Sequence, residues 1–242
     1  MDNYQNKTRK ILKECAAFVD GGHFICASGR HADFYVNKDA LYTYPKKLDD
    51  ICVMLTDVAL NAFTDFDVVI APAVAGIILG QNIAYNVSLE TNKKIRFAYA
   101  DKHPTNISRT IRRGYQDILK GKRVLLVDDI VSTGNTLIQM AEAVINLGGI
   151  PIGAVAICDR GKVRTIKYKR ADDTILSELI IEPLVELDLQ TFDPNNCPLC
   201  KSGRPLDTTL GEATITDVIN SLDKVVTSLQ SVSSSTISTL GF

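Results

Sequence analysis

The 242-residue sequence has no excess of charge of either sign, with 27 Lys and Arg against 28 Asp and Glu and a formal charge of −1. That excludes a polyanion-binding tail or a DNA-binding face built from bulk charge. Any phosphate recognition must be local, made by a loop. Long apolar runs are also missing, and no stretch approaches the ~18 residues that a membrane span needs. Residues 1–20 alternate charged with apolar side chains and do not read as a signal peptide. No internal repeat is visible. These absences point to a reduced, soluble, cytoplasmic chain with neither nucleic acid nor membrane as a partner. What is present is ordinary for a globular protein: 45% hydrophobic and 23% charged residues, long enough to bury a sizeable core.

Residues 4–19 repeat apolar side chains at helical spacing and end at Gly21-Gly22. Short β-like runs flank the turn at Ser28-Gly29-Arg30, and Pro45 opens a second helical pattern through residue 62. The pattern then changes. Apolar strands at 67–71, 95–99, 123–127 and 152–158 alternate with helices from Gly76 and from Asn135. Strands apolar on both faces, separated by helices, predict a parallel sheet covered on both sides. A polar stretch at 101–113 has the length of a lid or of a disordered loop. Residues 214–229 can form an amphipathic helix, and the Ser/Thr-rich end reads as frayed.

The most informative segment is 124–136, Val-Leu-Leu-Val-Asp-Asp-Ile-Val-Ser-Thr-Gly-Asn-Thr. It reads as a buried strand ending in two carboxylates, a Ser/Thr/Gly turn, then a helix. A helix N-terminus offers unpaired backbone N–H groups and the positive end of the dipole. Gly134 lets that backbone approach a bound group, and Ser132, Thr133 and Thr136 add hydroxyls, which makes a monophosphate cradle. The Gly-Lys-Ser/Thr ending of a Walker loop is absent. Asp128 and Asp129 would repel a phosphate unless something lies between. A ribose solves this, its hydroxyls donating to the carboxylates while its 5-phosphate fills the cradle, with Mg²⁺ joining through ribose and pyrophosphate oxygens. The plainer alternative, that both aspartates cap the helix, would need one of them.

Residues 124–136 resemble the phosphoribosyl pyrophosphate signature of type I phosphoribosyltransferases. The flanking segments resemble the orotate branch: Gly22-His23-Phe24 through Ser28-Gly29-Arg30-His31 and Phe34-Tyr35, the loop Ala71-Pro72-Ala73-Val74-Ala75-Gly76, and Cys158-Asp159-Arg160. Cys197-Pro198-Leu199-Cys200 is similar to a tail found in one bacterial subgroup. Two departures are visible: Tyr99-Ala100 where many relatives carry Arg-Lys, and Ala75 where many carry Lys.

The resemblance implies an α/β fold, a Rossmann-like parallel sheet flanked by helices, spanning residues 1–211. The core would be about 45–160, and a small hood would come from 1–44 and 161–211, with 212–242 an extension. It implies Mg²⁺-dependent transfer of ribose 5-phosphate from phosphoribosyl pyrophosphate to orotate in pyrimidine biosynthesis, by a homodimer whose lid reaches a neighbouring subunit. Lys102, His103, Asp128 and Asp129 would be catalytic. Ala73, Val74, Ala75, Gly76, Arg109, Arg113 and Asp128 through Thr136, including Ile130, Val131 and Asn135, would bind phosphoribosyl pyrophosphate. His31, Phe34, Tyr35, Ser132 and Arg160 would bind the base, where a guanidinium suits a carboxylate. Plainer readings sit beside these: a solvated basic loop for the lid, an ion pair with Asp159 for Arg160, a surface turn for His31. Another base, purines included, or a non-catalytic sensor of phosphoribosyl pyrophosphate are the rival functions. Cys197 and Cys200 have zinc-ligand spacing, but a structural zinc takes four ligands. The sequence shows no second pair, so reduced cysteines and no zinc site are expected.

Overall fold

A computed structural model describes residues 2–26, 29–103, 108–112, 114–169, 176–187 and 190–210. Along the chain run α1 (Asp2–Glu14), β1 (Phe18–Ile25), β2 (His31–Val36), α2 (Lys38–Tyr42), α3 (Pro45–Ala62), β3 (Val68–Pro72) and α4 (Gly76–Thr91). Then come β4 (Arg96–Lys102), β5 (Arg109–Thr110), β6 (Arg123–Val131), α5 (Asn135–Asn146) and β7 (Ile150–Asp159). The last elements are β8 (Thr165–Lys169), β9 (Leu176–Glu186), β10 (Thr191–Phe192) and α6 (Pro198–Lys201). None of the described helices is long and apolar enough to cross a membrane.

The chain divides into two units, residues 1–15 with 38–188, and residues 16–37 with 189–242. The larger unit holds a seven-stranded sheet in the order β5-β4-β3-β6-β7-β9-β8. Its five inner strands are parallel, and β5 and β8 close the edges antiparallel. This is the doubly covered sheet that the alternation of strands and helices predicts. Alternate strand residues Val68, Ile70, Val124, Leu126, Ala154 and Ala156 pack with Leu137, Met140 and Val144 of α5. The opposite face receives α3 and α4. A Cβ on Gly80 of α4 would meet Ala71 and the Phe97 ring, and one on Gly153 of β7 would meet the Phe63 ring at 2.1 Å. Glycine is the residue that permits these close approaches.

The smaller unit is a three-stranded antiparallel sheet, β1-β2-β10, followed by the single turn of α6. Here two readings from the sequence need correction. Phe18 and Val19 do not continue the first helix. The helix stops at Glu14, Ala16 takes φ 52°, and Phe18 and Val19 pair with Val36 and Tyr35. Aromatic and β-branched side chains favour that pleated setting. Gly21, at φ 75°, sits in the irregular stretch of β1 between Asp20 and Phe24 instead of capping a helix. Residues 165–169 and 176–186, assigned to the hood from the sequence, instead extend the main sheet, because β9 pairs in parallel directly with β7 and β8 pairs with β9. Ser28, residues 104–107, Arg113 and the whole 212–242 extension with its expected helix lie outside the described residues.

Candidate active site

Strand β6 carries the two carboxylates, and its pairing with β7 runs past them, from Asp128 opposite Ala156 to Val131 opposite Asp159. Both aspartates are nearly buried. Backbone groups hold them: the Asp129 N–H donates to Asp128 Oδ1 at 3.0 Å, and the Ile130 N–H to Asp129 Oδ1 at 2.8 Å. Lys38, at the start of α2, donates from Nζ to Asp129 Oδ2 at 2.9 Å. Burial, reinforced by the neighbouring Asp129 charge, pushes the Asp128 carboxyl well above the usual carboxylate range. Burial also works against the Lys38 charge, but attraction from Asp129 outweighs it and raises the ammonium's pKa. A paired carboxylate site of this kind suits hydroxyl donors and a divalent cation, both of which relieve the repulsion between the two aspartates.

After β6 the chain turns into α5. Gly134 is the N-cap at φ 76° and makes no side-chain cap hydrogen bond, and the one side-chain acceptor described at the first turn is the Thr133 hydroxyl, a long 3.4 Å from the Asn135 nitrogen. The N–H groups of that turn are therefore available to an anion. Two glycines shape the turn. A Cβ at Gly134 would lie 2.5 Å from Ile166 Cγ2, and one at Gly161 would lie 1.6 Å from the Ser132 carbonyl oxygen. Neither space can be filled, so residues 132–134 and the segment after β7 are pressed together. The Arg160 N–H donates to the Val131 carbonyl at 2.8 Å, fixing the same approach.

The other wall is the loop after β3. Its Ala73–Val74 peptide is cis, the Ala73 N–H donates to the Ala100 carbonyl at 2.9 Å, and Val74 is exposed. Together these segments enclose a cavity of about 750 Å³, lined by Lys38, residues 72–76, Asp101, Lys102, Arg109, Arg112, Asp128, Asp129, Ile130, Ser132, Thr136 and Arg160. That is within the range for small-molecule sites. Five of those side chains are cationic, which answers the missing Arg-Lys and loop Lys. Arg109 is half-buried, and its Nη1 reaches the Ala100 carbonyl at 3.3 Å. Its Nε is buried and has no hydrogen-bond partner among the described residues.

A family model described as a phosphoribosyl transferase domain matches residues 37–190. The chain belongs to the phosphoribosyltransferase family. Among curated relatives, this phosphoribosyltransferase is 32% identical over 197 residues to the orotate phosphoribosyltransferase of Campylobacter jejuni, covering 80% of this chain and 93% of the relative. It is 34% identical over 201 residues to the orotate phosphoribosyltransferase of Caldanaerobacter subterraneus, covering 81% and 94%. The crystal structure of a phosphoribosyltransferase from Corynebacterium diphtheriae superposes with a TM-score of 0.55 at 19% identity, over 77% of this chain and 97% of that one. The orotate phosphoribosyltransferase of Francisella tularensis superposes at 0.52 and 17% identity, over 92% and 97%. At such identities the structural likeness shows the fold.

Most of the residues picked from the sequence of this phosphoribosyltransferase meet at one cavity: Ala73 to Gly76, Lys102, Arg109, Asp128 to Ile130, Ser132, Thr136 and Arg160. Thr133, Gly134 and Asn135 form the turn itself, with the Thr133 hydroxyl accepting the Asn135 N–H at 3.4 Å, and Val131 is a core side chain. His103 is not among the lining residues. Phe34 and Tyr35 belong to β2 in the smaller unit, where Phe34 is buried and Tyr35 lies 5.7 Å from the Phe24 ring centroid. His31 is not a surface turn residue; it is buried against His23. The sequence reading missed Lys38, which carries no motif and acts through a contact 91 residues away. It also missed a second constellation: His23, His31, Cys197 and Cys200 bring one ligand atom each to within 4.8 Å of one another. The expectation of no zinc site rested on the lack of a second pair, and the two histidines are that pair.

Proposed function

We propose that this phosphoribosyltransferase transfers ribose 5-phosphate from phosphoribosyl pyrophosphate to orotate, giving orotidine 5'-phosphate and pyrophosphate. The observation that carries the reading is the single cavity in which the Asp128–Asp129 pair, the uncapped start of α5 and five cationic side chains meet. The 5-phosphate fits the N–H groups of residues 132–136, and the ribose hydroxyls donate to Asp128 and Asp129. Backbone groups of residues 73–76 face the pyrophosphate. The acidic and phosphate-compatible donor set fits a Mg²⁺ ion held through substrate oxygens beside Asp128 and Asp129. When bound, it would neutralise charge on the departing pyrophosphate.

The chemistry asks the protein for positioning and electrostatics. The C1–oxygen bond to pyrophosphate breaks, a C1–nitrogen bond to the base forms, and the base loses its N–H proton. Charge builds on C1 as in other glycosyl transfer, so Lys102, Arg109 and Arg112 serve by stabilising the leaving group and keeping water out. Arg160, at the end of β7, pairs with the orotate carboxylate. The lid at 101–113 closes over the site, in a homodimer that lets it serve the neighbouring copy. The Cys197-Pro198-Leu199-Cys200 segment supports membership of the subgroup that carries this tail.

Pyrophosphate release with phosphoribosyl pyrophosphate, Mg²⁺ and orotate, uracil, adenine, guanine or xanthine tests the reading. Turnover with orotate alone is the expected result. Turnover with a purine would keep the ribose and phosphate site and discard the base. Binding of phosphoribosyl pyrophosphate with no turnover on any base would make the protein a sensor.

A further inference from the structure

The smaller unit contains a four-residue cluster that phosphoribosyl transfer does not use. His23 lies on β1 and His31 on the adjacent antiparallel strand β2. Cys197 precedes α6 and Cys200 lies within it, a spacing that puts both sulfurs on one side of a single turn. His23 Nε2 is 2.9 Å from His31 Nδ1. Cys200 Sγ is 3.3 Å from His31 Nδ1 and 3.7 Å from His23 Nε2, and Cys197 Sγ is 3.8 Å from the same nitrogen. A tetrahedral centre with Zn–N of about 2.0–2.1 Å and Zn–S of about 2.3 Å has edges of roughly 3.3–3.8 Å between ligand atoms. The three sulfur–nitrogen separations fall within those edges; the two imidazole nitrogens, 2.9 Å apart, have to part by a few tenths of an ångström to hold the ion.

We propose that His23, His31, Cys197 and Cys200 form a tetrahedral zinc site that fastens the β1–β2 hairpin to the segment around α6. The ligand chemistry favours zinc: two thiolates and two imidazoles in tetrahedral array suit it better than the oxygen-preferring cations. Four protein ligands close the coordination sphere, so the ion is structural and leaves no position for substrate. His23 Nδ1 lies 2.8 Å from the Arg204 carbonyl, which takes its N–H and leaves Nε2 as the lone pair facing the cluster. A backbone acceptor on the far nitrogen is the usual outer support of a zinc-bound histidine. The turn is braced as well: the Arg204 N–H donates to the Leu199 carbonyl at 3.0 Å, and the Asp207 N–H to the His23 carbonyl at 2.8 Å. His23 and Cys197 are each 1% exposed, His31 is also buried, and Cys200 is half-buried.

The need for such a fastening follows from the size of the unit. Its sheet has one strand of two residues, and among the described residues its apolar core is a few side chains such as Phe24, Ala32, Phe34 and Leu199. Units this small are commonly held by a metal or by disulfides. Metal binding there is coupled to folding, with the two thiol protons released as the ion enters.

The test uses the full chain, made without a polyhistidine tag and purified without chelator. Elemental analysis should find one zinc per chain, lost in the Cys197→Ser/Cys200→Ser double variant and retained in His31→Cys, which keeps four ligands of zinc-binding type. If the double variant does not fold, the wild type stripped of metal and titrated with Co²⁺ decides. A thiolate-to-cobalt charge-transfer band with intense visible d–d bands supports the site. Wild-type protein without bound metal that takes up Co²⁺ with no such bands overturns it, as does undiminished zinc in a folded double variant.

Discussion

The two units of the molecule are held together by opposite means. In the larger, seven strands and the helices on both faces bury Leu126, Val144, Ile70 and their neighbours completely. Its polar cluster, Asp128–Asp129–Lys38, sits at the edge of that core, where burial and the neighbouring Asp129 charge disfavour the ionised form of Asp128. In the smaller unit the apolar core is slight, and the buried polar cluster is what joins the parts. The same kind of feature, several titratable side chains packed together, costs stability where it serves chemistry and supplies stability where it binds an ion.

The sharpest way to break this contrast is to attack each unit by the means that should matter to the other. Leu126→Ala removes a fully buried side chain beneath α5, and about 2–5 kcal/mol of unfolding free energy should be lost in urea titration. A strong chelator should leave that transition in place while opening Cys197 and Cys200 to a thiol reagent. A larger-unit transition that moves as far with chelator as with Leu126→Ala would end the comparison. Next in size, Asp129→Asn should lower kcat/KM for phosphoribosyl pyrophosphate roughly 10²–10³-fold in steady-state assays while the far-ultraviolet circular dichroism stays unchanged. Lys38→Ala removes the ammonium that holds Asp129 and reaches into the cavity, and should weaken phosphoribosyl pyrophosphate binding about tenfold by calorimetry.

The smallest effect is the most diagnostic of the carboxylate pair. Because Asp128 has a raised pKa in the folded chain, the native state holds more protons than the unfolded state between about pH 4 and that raised value. Stability from this group is complete below the lower limit of that range and is lost as pH rises through the raised value. Thermal melts of the wild type minus those of Asp128→Asn should therefore fall with rising pH. A flat difference curve would show that the pair is not under strain.

Legibility from sequence followed the same division. The strand, Asp-Asp pair, turn and helix of residues 123–146 lie in one continuous stretch, and each feature of that stretch has a local physical signature, so the strand, turn and helix could be read there. Lys38 could not, because it is defined by a partner 91 residues along the chain. Phe18 and Val19 went to the wrong element because helical spacing is satisfied by chance over one turn, whereas pairing with β2 depends on a strand that a single segment does not announce. The zinc ligands were hidden for a related reason. Cys197 and Cys200 advertise half a site, and the other half is two histidines eight residues apart, on facing strands, 169 to 177 positions toward the start of the chain for the contacts they make.

That separation also sets an order of events in time. Arg30 and its partner Thr191 are 161 residues apart, and β10 completes the sheet that β1 and β2 begin. At ribosomal speeds of about 5–20 residues per second, the hairpin waits roughly 8–30 s for the segment that finishes it. Throughout that interval the strands of the larger unit are emerging and can pair, while the hairpin stays an unfinished sheet with an open edge. The sheet of the smaller unit thus closes only after the strands of the larger one have emerged, and the proposed ion gains all four of its ligands only then.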